Sequence, residues 1–387
     1  MAERSGRSRI LASVLVGLGT FLLAVAILVP AYSLDRLKKT PLDLEVTTIA
    51  SGTGDVLDSA ALLEGRAQVD TGVPIVAQRY VIAEEPSDAE VVSLQAGQAV
   101  IRTDKQGDTG LLTASVDRVT VDRVSAMPVE PPVGTIQTSL DMPATEVSHT
   151  GLQYKWPFDA EQKSYPYFDL NIRTSQDINF VEETEINGMR VYHYSQVIEP
   201  TDMFEAVGDP TYRLSLPAET WGVPGGEEPV TMTRWYQNQR DVWVDPVTGV
   251  VIKGQEMMNQ YYARDKDEPE VTVLQAVLPF EESTIENQIS QAKDGQDQLA
   301  LASRTVPLVA GILGAIALIV GIVVGIRGGR GEKGAVAGGP ATPPSGSGQA
   351  GGRDEWASSD KTEEFPTVQM DKGDFDESGF TEPPRQQ

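Results

Sequence analysis

An uncharged apolar run lies near each end of the chain, residues 10–32 and 306–326, and this pair constrains everything between them. Each run is long enough, as a helix, to cross a hydrocarbon layer of roughly 30 Å. The first predicts a helix over 10–32, after the short N-terminus 1–9, and the second a helix over 305–326. Arg327, Arg330 and Lys333 follow the second run, while only Arg304 lies close before it. Basic residues favour the cytoplasmic side, so the C-terminus is expected there. Two crossings return the N-terminus to the same side and put residues 33–304 outside.

The first run also has a signal-peptide reading. A cleaved signal has an apolar stretch of about 7–15 residues and a small-residue cleavage site. Residues 10–32 exceed that length, and Pro30-Ala31-Tyr32 is a poor site, so a retained anchor is expected. Gly17 and Gly19 in the first run, and Gly311, Gly314, Gly321 and Gly325 in the second, would permit close contact between helices.

Residues 33–304 carry 44 acidic and 21 basic side chains of the chain's 56 and 31. Such a surface repels phosphate backbones, which argues against nucleic acid as a partner. The chain has no cysteine, which removes disulfides, thiolate nucleophiles and thiolate metal sites together. After residue 327 the composition turns to Gly, Pro and Ser and then to acidic residues with few aliphatics. This reads as a disordered cytoplasmic tail, in which Phe365 and Phe380 are the candidate contacts for a partner.

The middle segment reads as mainly β, an α+β domain with a large antiparallel sheet or barrel and a few helices. Residues 42–49 alternate and meet the turn-like Ser51-Gly52-Thr53-Gly54; 73–83, 89–103 and 111–124 are strand-like. Proline-rich spacers at 127–132 and 142–143 suggest an internal boundary near 125–150. Asn187-Gly188 between 172–184 and 189–198 predicts a hairpin. A second hairpin is expected over 231–244, turning near residues 237–240, followed by the turn Asp245-Pro246-Val247-Thr248-Gly249. Residues 250–261 and 271–278 complete the strands. From 281 to 303 the period changes to a helical one, with Ile285, Ile289, Ala292 and Leu299 on one face.

Catalytic chemistry is scarce. His149 and His193 are the two histidines, and no H-E-x-x-H, G-x-S-x-G or phosphate-binding glycine loop occurs. No motif calls for a cofactor or a metal. Paired carboxylates remain: Asp169 near the aromatic block, and Asp241 and Asp245 around Trp243. They are candidate cation or sugar contacts, and the basis of a glycan-acting alternative. The aromatic block itself, Trp156, Phe158, Tyr165, Tyr167 and Phe168, has two readings. Such rings fill a core, or they line an apolar groove that, with Trp243, would hold a ligand such as a lipid chain.

The N-terminal anchor, the stretch Lys163-Ser164-Tyr165-Pro166-Tyr167-Phe168-Asp169, and Trp243-Val244-Asp245-Pro246-Val247-Thr248-Gly249 ahead of a C-terminal span together resemble the actinobacterial porin PorA family. That family of bitopic envelope proteins includes the lipomannan maturation protein LmcA. The resemblance covers residues 10–330 and excludes the acidic tail. It implies a non-enzymatic envelope role at the outer face of the plasma membrane, with a lipid or lipoglycan as partner. Scaffolding of an envelope glycosyltransferase or transporter is the alternative. The label "porin" is not a mechanism here, because a membrane barrel crosses with amphipathic strands and not with long apolar helices. The layout of two anchors around one ectodomain also resembles that of scavenger-receptor-class lipid-binding proteins.

Overall fold

The computed structural model describes residues 2–139 and 141–329. The tail reading, with Phe365 and Phe380, lies outside the described residues from 330 onward.

Helix α1 (Ala2–Leu37) and helix α6 (Val306–Gly329) carry the two apolar runs. They pack antiparallel, and small residues set the contact. A Cβ on Gly19 would sit 2.7 Å from the Leu318 backbone nitrogen, and one on Gly314 3.0 Å from the Gly19 carbonyl. Ala26 faces Gly311 and Ala12 faces Gly325 at the two ends of the seam. Helices approach this closely only where side chains are absent or very short. The other faces are apolar and open: Phe21, Ile27 and Leu308 are all more than 60% exposed, a surface suited to lipid and not to water.

Between them lies one antiparallel sheet of thirteen strands. In chain order these are β1 (Glu45–Leu57), β2 (Val69–Glu84), β3 (Val91–Arg102), β4 (Leu111–Asp122), β5 (Thr135–Gln137), β6 (Thr145–Glu146), β7 (Tyr165–Asp169), β8 (Thr174–Ile186), β9 (Met189–Asp202), β10 (Arg213–Pro217), β11 (Pro229–Val244), β12 (Val251–Ala263) and β13 (Val271–Pro279). The order across the sheet is β6-β5-β4-β3-β2-β1-β13-β12-β11-β9-β8-β7, with β10 paired to β11. The sheet is not closed into a barrel. β5 and β6 lie within residues 125–150 and extend the sheet beyond β4. Short helices α2 (Ser59–Leu63), α3 (Met203–Val207) and α4 (Ala218–Trp221) fill connections.

Local chemistry explains one hairpin turn and one strand that runs on through glycines. Asn187 and Gly188 both have positive φ, 48° and 79°, and close the β8–β9 hairpin in two residues. Gly52 and Gly54 do not end β1; the strand runs through them to Leu57. A Cβ on Gly52 would lie 2.2 Å from the Val277 carbonyl, and one on Gly54 2.4 Å from that of Gln275, so these glycines allow β1 to approach β13.

β11 is likewise one uninterrupted strand, without the turn expected at 237–240. That stretch is polar because Asn238 and Arg240 are buried inside the sheet's curve, where they have partners.

Helix α5 (Glu282–Ala300) follows β13. It buries Ile285, Ile289 and Ala292 against Met189, Val191 and Ile252 on the outer side of the sheet. Through a π-helical turn at Leu301–Thr305 it continues into α6, so a single 46-residue helical stretch, Glu282–Arg327, joins sheet to span.

Candidate functional site

The sheet curves around an elongated cavity of about 600 Å³. That volume is in the range of small-molecule sites. Its wall comes from both ends of the strand order, β1–β4 on one side and β7 and β11–β13 on the other, with Gln288 and Gln291 of α5 added. Alternate residues point inward, as strand geometry requires: Val46, Thr48 and Ala50 on β1, and Ala77, Arg79 and Val81 on β2. Val251 and Gln260 both line it, so it follows roughly 30 Å of β12 at about 3.3 Å per residue. Val100, Leu112, Met258, Leu274, Leu278 and Phe280 give it apolar walls. β5 pairs with β4 only at Val116–Arg118, and the exposed Leu111, Thr113 and Ala114 of the unpaired length border the same space.

A charged belt crosses the middle of the cavity wall. Arg240 donates to Asp169 Oδ2 at 2.9 Å, to Glu256 Oε1 at 3.1 Å and to Gln196 Oε1 at 2.6 Å. The Tyr236 hydroxyl donates to the same Asp169 oxygen at 3.0 Å. Burial works against a charged Glu256, but the nearby Arg240 and Arg79 outweigh it and hold the carboxyl below its ordinary pKa. A second network backs the wall at Tyr154. Asp117, itself fully buried, accepts from Tyr154 Oη at 2.5 Å and from Gln153 Nε2 at 3.0 Å, and pairs with His149 Nε2 at 2.9 Å. Burial, and next the Asp117 charge, push the Tyr154 phenol well above its usual pKa.

The aromatic block divides between core and cavity. Tyr167 and Phe168 of β7 line the cavity. The Tyr167 hydroxyl is tied to the Gln153 carbonyl at 2.6 Å, and Phe168 packs on His149 with ring centroids 4.3 Å apart. Trp156 and Tyr165 stand behind them in a cluster with Tyr194, Ile178 and Val244; Trp156 is fully buried, 5.3 Å from Tyr167 and 5.5 Å from Tyr194. Phe158 is half-buried under the Lys155 ammonium, 4.0 Å from its ring centroid.

Trp243 is on the outer side of the sheet with the α5 cluster, stacked on His193 at 4.5 Å and 7°.

The three carboxylates have protein partners. Asp169 has Arg240 and Tyr236, and also accepts from the backbone nitrogens of Asn171 and Ile172. Asp241 pairs with His193 Nε2 at 2.9 Å and accepts from Gln239. Asp245 accepts from the Thr248 backbone nitrogen and hydroxyl and from Gln296 Nε2. Among the described residues no group of three or more His, Cys, Asp or Glu is placed to hold a metal ion.

Lys155, at the edge of the cavity, was not among the residues singled out from sequence. Its Nζ donates to the carbonyls of Thr248 at 2.6 Å and Trp156 at 3.1 Å. Burial pushes its pKa down to about 7, with Asp245 partly opposing. The folded state therefore holds fewer protons than the unfolded one between pH 7 and the ordinary lysine value of 10.5, and folding stability rises with pH across that window. The contribution reaches about 1.4 kcal/mol per pH unit and is flat below pH 7. Urea denaturation at several pH values in that window should show this slope, and Lys155→Met should remove it.

Comparison with known proteins places this architecture. Residues 11–323 match the family described as Porin PorA. A "Porin PorA" of Corynebacterium resistens is 31% identical, over 84% of this chain and 98% of its own length. Another, of Corynebacterium amycolatum, is 29% identical over 81% of this chain and 97% of its own. With the whole sheet and most of both apolar runs inside the matched region, the chain belongs to the Porin PorA family.

Proposed function

We propose that this protein is a non-enzymatic factor of the cell envelope whose sheet domain, on the outer face of the plasma membrane, holds a lipid or the lipid part of a lipoglycan. The cavity is the observation that carries this reading. It is long and has an apolar patch at Met258, Leu274, Leu278 and Phe280, and the domain that holds it is tethered by α1 and α6. An acyl chain gains by leaving water for such walls, at about 0.8 kcal/mol per buried methylene. The basic residues after the second span support the orientation this reading uses, with both termini in the cytoplasm and the sheet outside. An envelope glycosyltransferase or transporter is then a candidate to give or receive the lipid. Pure scaffolding would need no such cavity, and a glycan-cleaving mechanism would need carboxylates freer than Asp169, Asp241 and Asp245.

Ala77 lines the cavity in the same apolar cluster as Met258 and Leu274, so Ala77→Trp adds bulk there without removing any side-chain hydrogen bond. The full chain, purified in mild detergent and extracted, should yield a lipid by mass spectrometry. The Ala77→Trp variant, folded by circular dichroism, should retain several-fold less of it. Equal lipid in both proteins would count against the proposal, since lipid held around the spans is the same in each.

A further inference from the structure

The chain is strongly acidic, and its buried arginines are matched by carboxylates, while the buried Lys155 is held by two carbonyls. Arg240 has Asp169 and Glu256, and Arg102 has Asp70 and Asp104. Two arginines that line the cavity break this pattern. Arg234 has no carboxylate within ion-pair distance among the described residues. Its guanidinium lies over the Tyr212 ring, 5.4 Å from the centroid, and donates to the Gln260 side-chain oxygen. Its Nε is buried and makes no hydrogen bond among the described residues. Asp209, whose charge acts on Arg234, also lines the cavity, but its carboxylate accepts from the Thr211 nitrogen and hydroxyl in a tight turn. Burial lowers the pKa of Arg234, yet a guanidinium remains charged in any accessible condition.

Arg173 is the second. It is half-buried, lines the same cavity, and its side chain makes neither a hydrogen bond nor an ion pair among the described residues. It also sits at φ 52°, in the left-handed region where glycine or asparagine is favoured. Its neighbour Ile172 packs in one cluster with Tyr212, the ring under Arg234, so both arginines border one end of the cavity. A charge kept in a low-dielectric wall without a partner is costly, and so is an arginine in a turn that suits another residue.

We propose that Arg173 and Arg234 bind the anionic group, a phosphate or a carboxylate, of a lipid whose chain occupies the cavity. The proposal rests on the lipid-holding reading above and names the ligand class. Guanidinium forks match the oxygens of both anions, and hydrogen bonds between ionised partners are the strong ones. The neutral walls around Met258 and Leu274 take the chain, while the arginines set its direction and select against neutral lipids.

Isothermal titration on the full chain in neutral-detergent micelles tests this with palmitoyl lysophosphatidic acid, palmitic acid, monopalmitoyl glycerol and glycerol phosphate. The wild type should bind at least one of the two anionic lipids about tenfold or more tighter than the neutral one. The double variant Arg173→Asn, Arg234→Gln should bring that ratio to about one and leave the neutral lipid's affinity unchanged. Arg173→Asn alone should lower the ratio and should not lower Tm, because asparagine tolerates the left-handed turn; it keeps the test decisive if Arg234→Gln fails to fold. A ratio of one in the wild type, or a ratio that survives in either foldable variant, overturns the proposal. Glycerol phosphate bound as tightly as the phospholipid overturns the role of the chain. If neither anionic nor neutral lipid binds, the cavity reading itself fails, which is a different result from loss of the preference alone.

Discussion

Arg240→Met is expected to cost about 3–5 kcal/mol of folding stability, the range for breaking a buried ion pair from one side. The substitution keeps most of the apolar stem and removes every donor. Asp169 then keeps Tyr236 and two backbone nitrogens, but no cation. Glu256 keeps the Asn238 amide at 3.2 Å and a distant Arg79, 4.0 Å away. Two carboxylates in the wall would face desolvation with little to offset it. Chemical denaturation followed by tryptophan fluorescence checks the magnitude.

The pH dependence identifies the cause. In the wild type the lowered pKa of Glu256 contributes stability that is present above the unfolded carboxylate value and lost as pH falls. In Arg240→Met the sign reverses, because burial without Arg240 favours the protonated form of Glu256 in the folded state. The gap between variant and wild type should therefore shrink on acidification toward pH 5. A gap independent of pH would mean that lost packing, and not unpaired charge, is responsible.

Trp156→Ala is the second large effect, about 3–5 kcal/mol for truncating a fully buried indole. The ring holds Tyr167 and Tyr194 in place, and the Trp156 backbone is anchored to the Gly249 carbonyl at 3.0 Å. Its indole nitrogen has no hydrogen-bond partner among the described residues, so Trp156→Phe loses volume but no polar contact and should cost much less. Trp156 does not line the cavity, so the folded Trp156→Phe protein should carry the wild-type amount of lipid. Loss of lipid from that folded variant would give Trp156 a ligand role that its position does not suggest.

These cases show what a sequence of this kind discloses. The spans were legible from charge-free length, the Asn187-Gly188 hairpin from its turn chemistry, and helix α5 from the spacing of Ile285, Ile289 and Ala292. The strand through Gly52 and Gly54 was not, because glycine signals a turn and a close strand approach in the same way. β11 was missed as one strand because Asn238 and Arg240 look like turn residues until their buried partners are known. Hydropathy records that a residue is polar and not whether its partner lies across a sheet.

The aromatic block was legible as a block, but its division between cavity and core depends on which strand faces inward. Tyr167 and Phe168 reach the cavity while Trp156 lies behind them. Arg173 and Arg234 were not singled out. Had β11 been read as continuous, period two would have placed Arg234, Tyr236, Asn238, Arg240 and Val242 on one face. Basic residues on an inward face in so acidic a chain would have been the signal.

The central claim is that a lipid chain lies inside the sheet, along β12 and β13. The most direct measurement is photo-crosslinking of a diazirine-bearing fatty acid to the full chain in membranes, with adducts mapped by peptide mass spectrometry. The account predicts adducts on the segments containing Met258 and Leu274, and their loss in Ala77→Trp. Adducts confined to α1 and α6, with none in the sheet of the wild type, would contradict it.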